Sequence, residues 1–114
     1  MNKRLSKNER LKGRLKFETL FDQGSVLKKF PIKLIYTPNP GAINHLMAVS
    51  VPKRNISSAV KRNRIKRQIR EIYRLNKPFV KNESLALLFV YQSRECLPYA
   101  RIEKSIKKLL HQFA

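Results

Sequence analysis

A chain of 114 residues has room for one domain with a modest core, and its 42% hydrophobic residues argue against a disordered polymer. Its 26 Lys and Arg stand against 7 Asp and Glu, so the formal net charge is +19. Such an imbalance opposes compaction and calls for a polyanionic partner. No stretch approaches the roughly 20 apolar residues of a membrane-spanning helix, and the lone cysteine, Cys96, excludes an internal disulfide or a multi-cysteine zinc site.

Residues 1–12 read as a mobile basic arm, with Lys3, Arg4, Lys7, Arg10 and Lys12 opposed by Glu9 alone. No apolar stretch follows these charges, so no secretory signal is expected, and a cytoplasmic location is the default. Residues 14–23 are predicted as a short helix on which Phe17, Leu20 and Phe21 share a face, and Gly24 stops it. Pro31 divides an extended segment at 25–30 from a better strand at 32–37. In the latter, Ile32, Leu34 and Tyr36 alternate with Lys33, Ile35 and Thr37. Pro38, Asn39, Pro40 and Gly41 form a turn cluster. Residues 46–51 read as a central strand, apolar on both faces, and Pro52 ends it.

The helix that follows has two faces. Ile65, Ile69 and Ile72 form a stripe that must be buried, and Asn63, Arg67, Arg70 and Arg74 lie roughly opposite. Arg62, Arg64 and Lys66 flank this second face, and Glu71 is the only acid between Lys61 and Arg74. Guanidinium groups at this density repel one another unless a polyanion lies over them. Ser57 or Ser58 can cap this helix, and Pro78 lies beyond its end. Residues 85–91 read as a buried strand, and 99–113 as a helix whose stripe is Ile102, Ile106, Leu109, Leu110 and Phe113. The resulting order, α-β-β-β-α-β-α, makes a single α+β domain with helices on a small mixed sheet.

Catalysis centred on the chain is not supported. The seven acids, Glu9, Glu18, Asp22, Glu71, Glu83, Glu95 and Glu103, are scattered singly, and no pair is arranged for acid–base work. His45 reads as a loop side chain, His111 as a solvated helix position and Cys96 as a buried or half-buried bystander. No glycine loop cradles phosphates, no catalytic residue is assigned, and neither a bound metal nor a bound cofactor is expected. Nucleic-acid binding, in contrast, suits the one-sided, arginine-rich helix. Phe17 and Phe21, one turn apart, are either core residues or a platform for unpaired bases, and Tyr36 is similarly open. Lys53 and Arg54 fall where the third strand meets the basic helix, placed for phosphates. No zinc finger, basic zipper or helix-turn-helix spacing is present. Charge alone does not decide between DNA and RNA. A sheet with an exposed aromatic and a separate Arg-rich helix suits a folded RNA with single-stranded portions better, so the expected partner is RNA, with no DNA and no membrane.

The run Arg62-Asn63-Arg64-Ile65-Lys66-Arg67-Gln68-Ile69-Arg70 resembles the RNR motif of the protein subunit of bacterial ribonuclease P. Phe17, Leu20, Phe21 and Gly24 match that family's first helix. The segment at 46–51, followed by Pro52, Lys53 and Arg54 and then Ala59 and Val60, matches its approach to the motif. The likeness covers roughly residues 10–75, with Ser57 standing where the family often has glycine.

The resemblance implies a left-handed βαβ crossover around the motif helix. It also implies a division of labour, in which an RNA subunit with its Mg2+ ions cleaves precursor tRNA to free the 5′ leader. The protein holds the RNA and the leader and binds no cofactor itself. Carried over by position, Arg62, Asn63, Arg64, Lys66, Arg67 and Arg70 would bind the ribonuclease P RNA. Phe17, Phe21, Tyr36 and Lys53 would border the leader cleft between the first helix and the sheet. Two readings compete: a general basic RNA-binding protein, such as a ribosomal protein or RNA chaperone, and a stand-alone nuclease.

Overall fold

The structure is a computed structural model that describes residues 24–38, 45–76 and 85–112. The basic arm and the predicted first helix, with Phe17 and Phe21, lie outside these residues, as does Pro78. Four strands and two helices run in the order β1 (Ser25–Lys29), β2 (Ile32–Pro38), β3 (Leu46–Ser50), α1 (Ala59–Asn76), β4 (Leu85–Tyr91) and α2 (Tyr99–His111).

β1 and β2 form a hairpin around Phe30 and Pro31, whose peptide bond is cis, so Pro31 does divide two strands. The sheet order is β1-β2-β4-β3. β4 pairs antiparallel with β2 and parallel with β3, which makes the sheet mixed and makes α1 the helix of a parallel βαβ unit.

Both helices lie on one face of the sheet. α2 packs against β1 and β2, whereas α1 packs against β3 and α2. The main core between these layers joins Leu34, Met47, Leu87 and Phe89 from the strands to Ile65, Ile69, Ile72, Ile102, Ile106 and Leu110 from the helices. Burying one such aliphatic side chain stabilises by roughly 1.5–3 kcal/mol, so the isoleucine stripe of α1 fixes the helix rotationally as well as holding it down. Tyr73 meets Phe89 edge to face, with ring centroids 5.9 Å apart. The amide of Asn76 donates to the Ile72 carbonyl at 2.7 Å in the last turn.

The third strand departs from expectation. It is an edge strand, and only Met47 within it is buried. Its apolar character on both faces arises because Leu46 and Ala48 extend a second, smaller cluster of Ile35, Ala86 and Leu88 on the reverse of the sheet. The interior strands are β2 and β4, and β4 is buried along almost its whole length. Cys96 is also exposed rather than buried. It lies in the loop after β4, where the Tyr91 hydroxyl donates to the Glu95 carbonyl and accepts the Leu97 amide at 3.0 Å. These backbone ties shape the loop without enclosing the cysteine.

Candidate nucleic-acid interface

The approach to α1 is a sequence of local hydrogen bonds. After β3, the amides of Asn55 and Ile56 both donate to the Pro52 carbonyl, at 3.0 and 3.1 Å, and this turn carries Lys53 and Arg54 outward. Buried Ile56 anchors it from below, and the Asn55 amide reaches the Tyr91 carbonyl at 3.2 Å, tying the turn to the end of β4. Ser58 caps the helix by accepting the Lys61 amide on Oγ at 3.3 Å. No non-glycine residue among those described takes a positive φ, so the turn through Ser57 does not need the glycine that often stands there.

From this anchored start, α1 presents its charges. Asn63, Arg64, Arg67 and Arg70 are exposed, Lys66 is half-buried, and Ile65, Ile69 and Ile72 point into the core. Arg74, on the same outward face, is paired with Glu71. Its Nε donates to Glu71 Oε2 at 3.0 Å, and its Nη2 bonds the other carboxylate oxygen. The Arg74 guanidinium thus holds the Glu71 carboxyl below the usual carboxylate range. The one acid of the helix is consumed by the arginine nearest the C-terminus. Among the described residues no carboxylate pairs with Arg64, Arg67 or Arg70. The first turn carries no acid either, although its unsatisfied N–H groups favour negative charge there. Lys61 and Arg62 therefore oppose the helix dipole, a local cost that a bound anion at this end would offset.

Arg62 differs from its neighbours. Its Nη1 donates to the carbonyls of Ile56 and Ser57, at 2.9 and 2.7 Å, so it fastens the helix start to the preceding turn. Residue spacing gives no sign of this, because the acceptors are backbone atoms. A groove of about 370 Å³ beside it has Ser57, Ser58, Lys61, Arg94, Glu95 and Cys96 in its lining. Arg94 comes from the loop after β4 and had no motif to mark it.

Of the residues assigned to the leader cleft, Tyr36 and Lys53 can be placed. Phe17 and Phe21 lie outside the described residues. Tyr36 is half-buried against the main core and pairs across the ladder with Leu87, the partner of Met47 in β3. Exposed Lys53 lies beyond Ser50, and Ser50 is three residues past Met47, or ~10 Å along the strand. Tyr36 and Lys53 thus stand toward opposite ends of the sheet, and a strand touching both must run along it. His45 accepts the Leu85 amide on Nδ1 at 2.8 Å and so helps register the start of β4, while His111 is an exposed helix residue.

Comparison with known proteins agrees with this geometry. The family model described as Ribonuclease P matches residues 5–114, which extends the likeness through the C-terminal third. A ribonuclease P protein component from Porphyromonas gingivalis is 35% identical over 96% of this chain and 86% of its own length. One from Petrotoga mobilis is 35% identical over 93% of this chain and 92% of its own. Among solved structures, the Staphylococcus aureus ribonuclease P protein superposes with a TM-score of 0.81 at 21% identity, covering 93% of this chain and 98% of that one. The Thermotoga maritima protein gives 0.80 at 22%, with the same coverage. At these identities the structural matches speak for the fold, and the sequence matches speak for the family. With an outward basic helix, an α+β fold of the same shape and a match over nearly its full length, this chain belongs to the ribonuclease P protein family.

Proposed function

We propose that this chain is the RNA-holding subunit of a bacterial ribonuclease P, binding the ribonuclease P RNA through α1 and the 5′ leader of precursor tRNA along the sheet. The carrying observation is the face of α1 on which Asn63, Arg64, Arg67 and Arg70 are exposed while three buried isoleucines hold the helix in place. A row of guanidinium groups on a packed helix suits a folded polyanion, because each planar fork can pair bidentately with a phosphate. Lys53 would contact leader phosphates, and Tyr36, with Phe17 and Phe21, would stack on unpaired bases. Stacking and phosphate contacts accept leaders of varied sequence, which base-edge hydrogen bonds would not.

The hydrolysis is assigned to the RNA and its Mg2+ ions. The described carboxylates do not fit a magnesium site on the protein: Glu71 is taken by Arg74, Glu103 lies 3.9 Å from Lys107, and Glu95 stands apart in a loop. The protein's contribution is positive charge where two RNAs approach. That charge matters most when magnesium is scarce and screening is weak. A cytoplasmic location goes with these partners.

Reconstitution tests the proposal. Precursor tRNA is incubated at low Mg2+ with the chain, with a bacterial ribonuclease P RNA, and with both. Cleavage at the mature 5′ end in the combined sample alone is expected. No stimulation of an RNA that is active at high Mg2+ would favour a general RNA-binding role. Cleavage by the chain freed of RNA would place the chemistry in the protein.

A further inference from the structure

A second basic surface lies at the other edge of the sheet, away from α1. Lys29 ends β1 at that edge, and Phe30 follows it in the hairpin turn with 59% of its surface exposed. α2 crosses behind them and brings Arg101, Lys104 and Lys108, at i, i+3 and i+7, to one side of the helix. Ser105, buried in α2, donates its hydroxyl to the Lys29 carbonyl, which fixes the end of β1 to the helix. Lys29, Phe30, Arg101, Lys104 and Lys108 thereby line one groove of about 440 Å³.

The acid of α2 does not neutralise this cluster. Glu103 lies on another side of the helix, beside Lys107. The ammonium groups of Lys29 and Lys104 instead crowd Lys108 and hold its pKa below the ordinary lysine range. Solvated lysines avoid such crowding by diverging, but here a backbone anchor brings two elements together with their charges converging. The exposed ring at the rim adds a second kind of contact. A cationic groove bordered by an aromatic face is how proteins hold unpaired strands, phosphates on the cations and a base on the ring.

We propose that Lys29, Arg101, Lys104 and Lys108, with Phe30 at the rim, form a second RNA site that takes the phosphodiester backbone of an unpaired strand and stacks one of its bases on Phe30. The site rests on the reading of the chain as an RNA-holding subunit and gives that subunit a separate grip at the edge opposite α1. Lysine suits the task, because a point charge on a flexible stem accepts phosphates without a fixed geometry. The strand is an unpaired segment either of the ribonuclease P RNA or of the precursor tRNA, and the two sources share this chemistry.

The chain has no tryptophan, so Phe30→Trp supplies a single indole reporter in the full-length protein. Titration with a uridine oligonucleotide should quench its emission saturably. Lys104→Ala together with Lys108→Ala in the reporter background should weaken the midpoint by about tenfold near physiological salt, the loss worked from two single-strand phosphate contacts. Arg67→Ala with Arg70→Ala should move it by less than about twofold. The lysine variants should melt no lower than the parent, since they relieve repulsion. Absence of quenching, or an unchanged midpoint in the lysine variant, would overturn the site. Equal quenching by a duplex of the same length would overturn the unpaired-strand assignment. Parallel titrations with ribonuclease P RNA and precursor tRNA identify the source, and silence with both also overturns the site. Quenching by RNA without stimulation in the reconstitution would sink the subunit reading and leave the site standing. Stimulation without quenching would do the reverse.

Discussion

Replacing Arg67 and Arg70 together by alanine tests the phosphate-binding role proposed for α1. Both side chains are exposed, neither is paired with a carboxylate among the described residues, and the buried stripe of Ile65, Ile69 and Ile72 lies on the far side of the helix. Their removal should therefore leave the fold intact, with a melting temperature close to the parent's. The effect belongs in the salt dependence of RNA binding. Each phosphate contact on a duplex region contributes about 0.9 to the slope of log K against log salt, so losing two lowers its magnitude by ~1.8. Between 50 and 200 mM monovalent salt the parent's advantage over the variant should then shrink by roughly tenfold. Filter binding to ribonuclease P RNA across that range, at fixed Mg2+, measures it. An unchanged slope with an unfolding transition like the parent's would show that these guanidinium groups face solvent in the complex. The assigned RNA face of α1 would then be wrong.

Arg62→Ala should behave differently. It removes the donor to the Ile56 and Ser57 carbonyls at the helix start, so stability should fall by ~1 kcal/mol, and the melting temperature by about 5 °C, with a smaller change in salt slope than Arg67→Ala gives. Tyr36→Ala should weaken binding of precursor tRNA more than of mature tRNA, by roughly 1–3 kcal/mol if the ring stacks on a leader base. Equal losses for both, with a lower melting temperature, would make Tyr36 a core residue only. Glu71→Gln should lower stability slightly at neutral pH. The pairing with Arg74 depresses the folded-state pKa of Glu71, so its contribution is present above the unfolded carboxylate value and fades as pH falls through the folded one. Thermal melts of the variant and parent should therefore converge in acid, and a difference that persists there would refute the linkage.

The periodic parts of this fold were legible in the residues. The isoleucines of α1 recur at helical spacing and are buried, Ser58 is a cap, and the apolar run of β4 is the buried strand. Strand order was not legible. Leu46 and Ala48 signal burial on a second face whether β3 lies at the centre or the edge, and only its pairing with β4 decides between them. The role of Arg62 in fastening the turn was hidden because its acceptors are carbonyl oxygens, which no side-chain pattern reports. The convergence of Lys29 with Lys104 and Lys108 was hidden because it depends on α2 crossing β1, far along the chain. Local periodicity sees neither.

The position of β4 between β2 and β3 has a consequence for how the protein is made. Both neighbours are synthesised first, and their backbone edges stay unpaired until residues 85–91 leave the ribosome and slot between them. By then every arginine of α1 has already emerged, without the sheet on which its isoleucines rest. A nascent chain stopped before Leu85 would carry the charge of the proposed RNA face on an unsupported helix, able to attract a polyanion but not to orient it. On the proposed assignment, selective RNA recognition by α1 would therefore wait until the last quarter of translation.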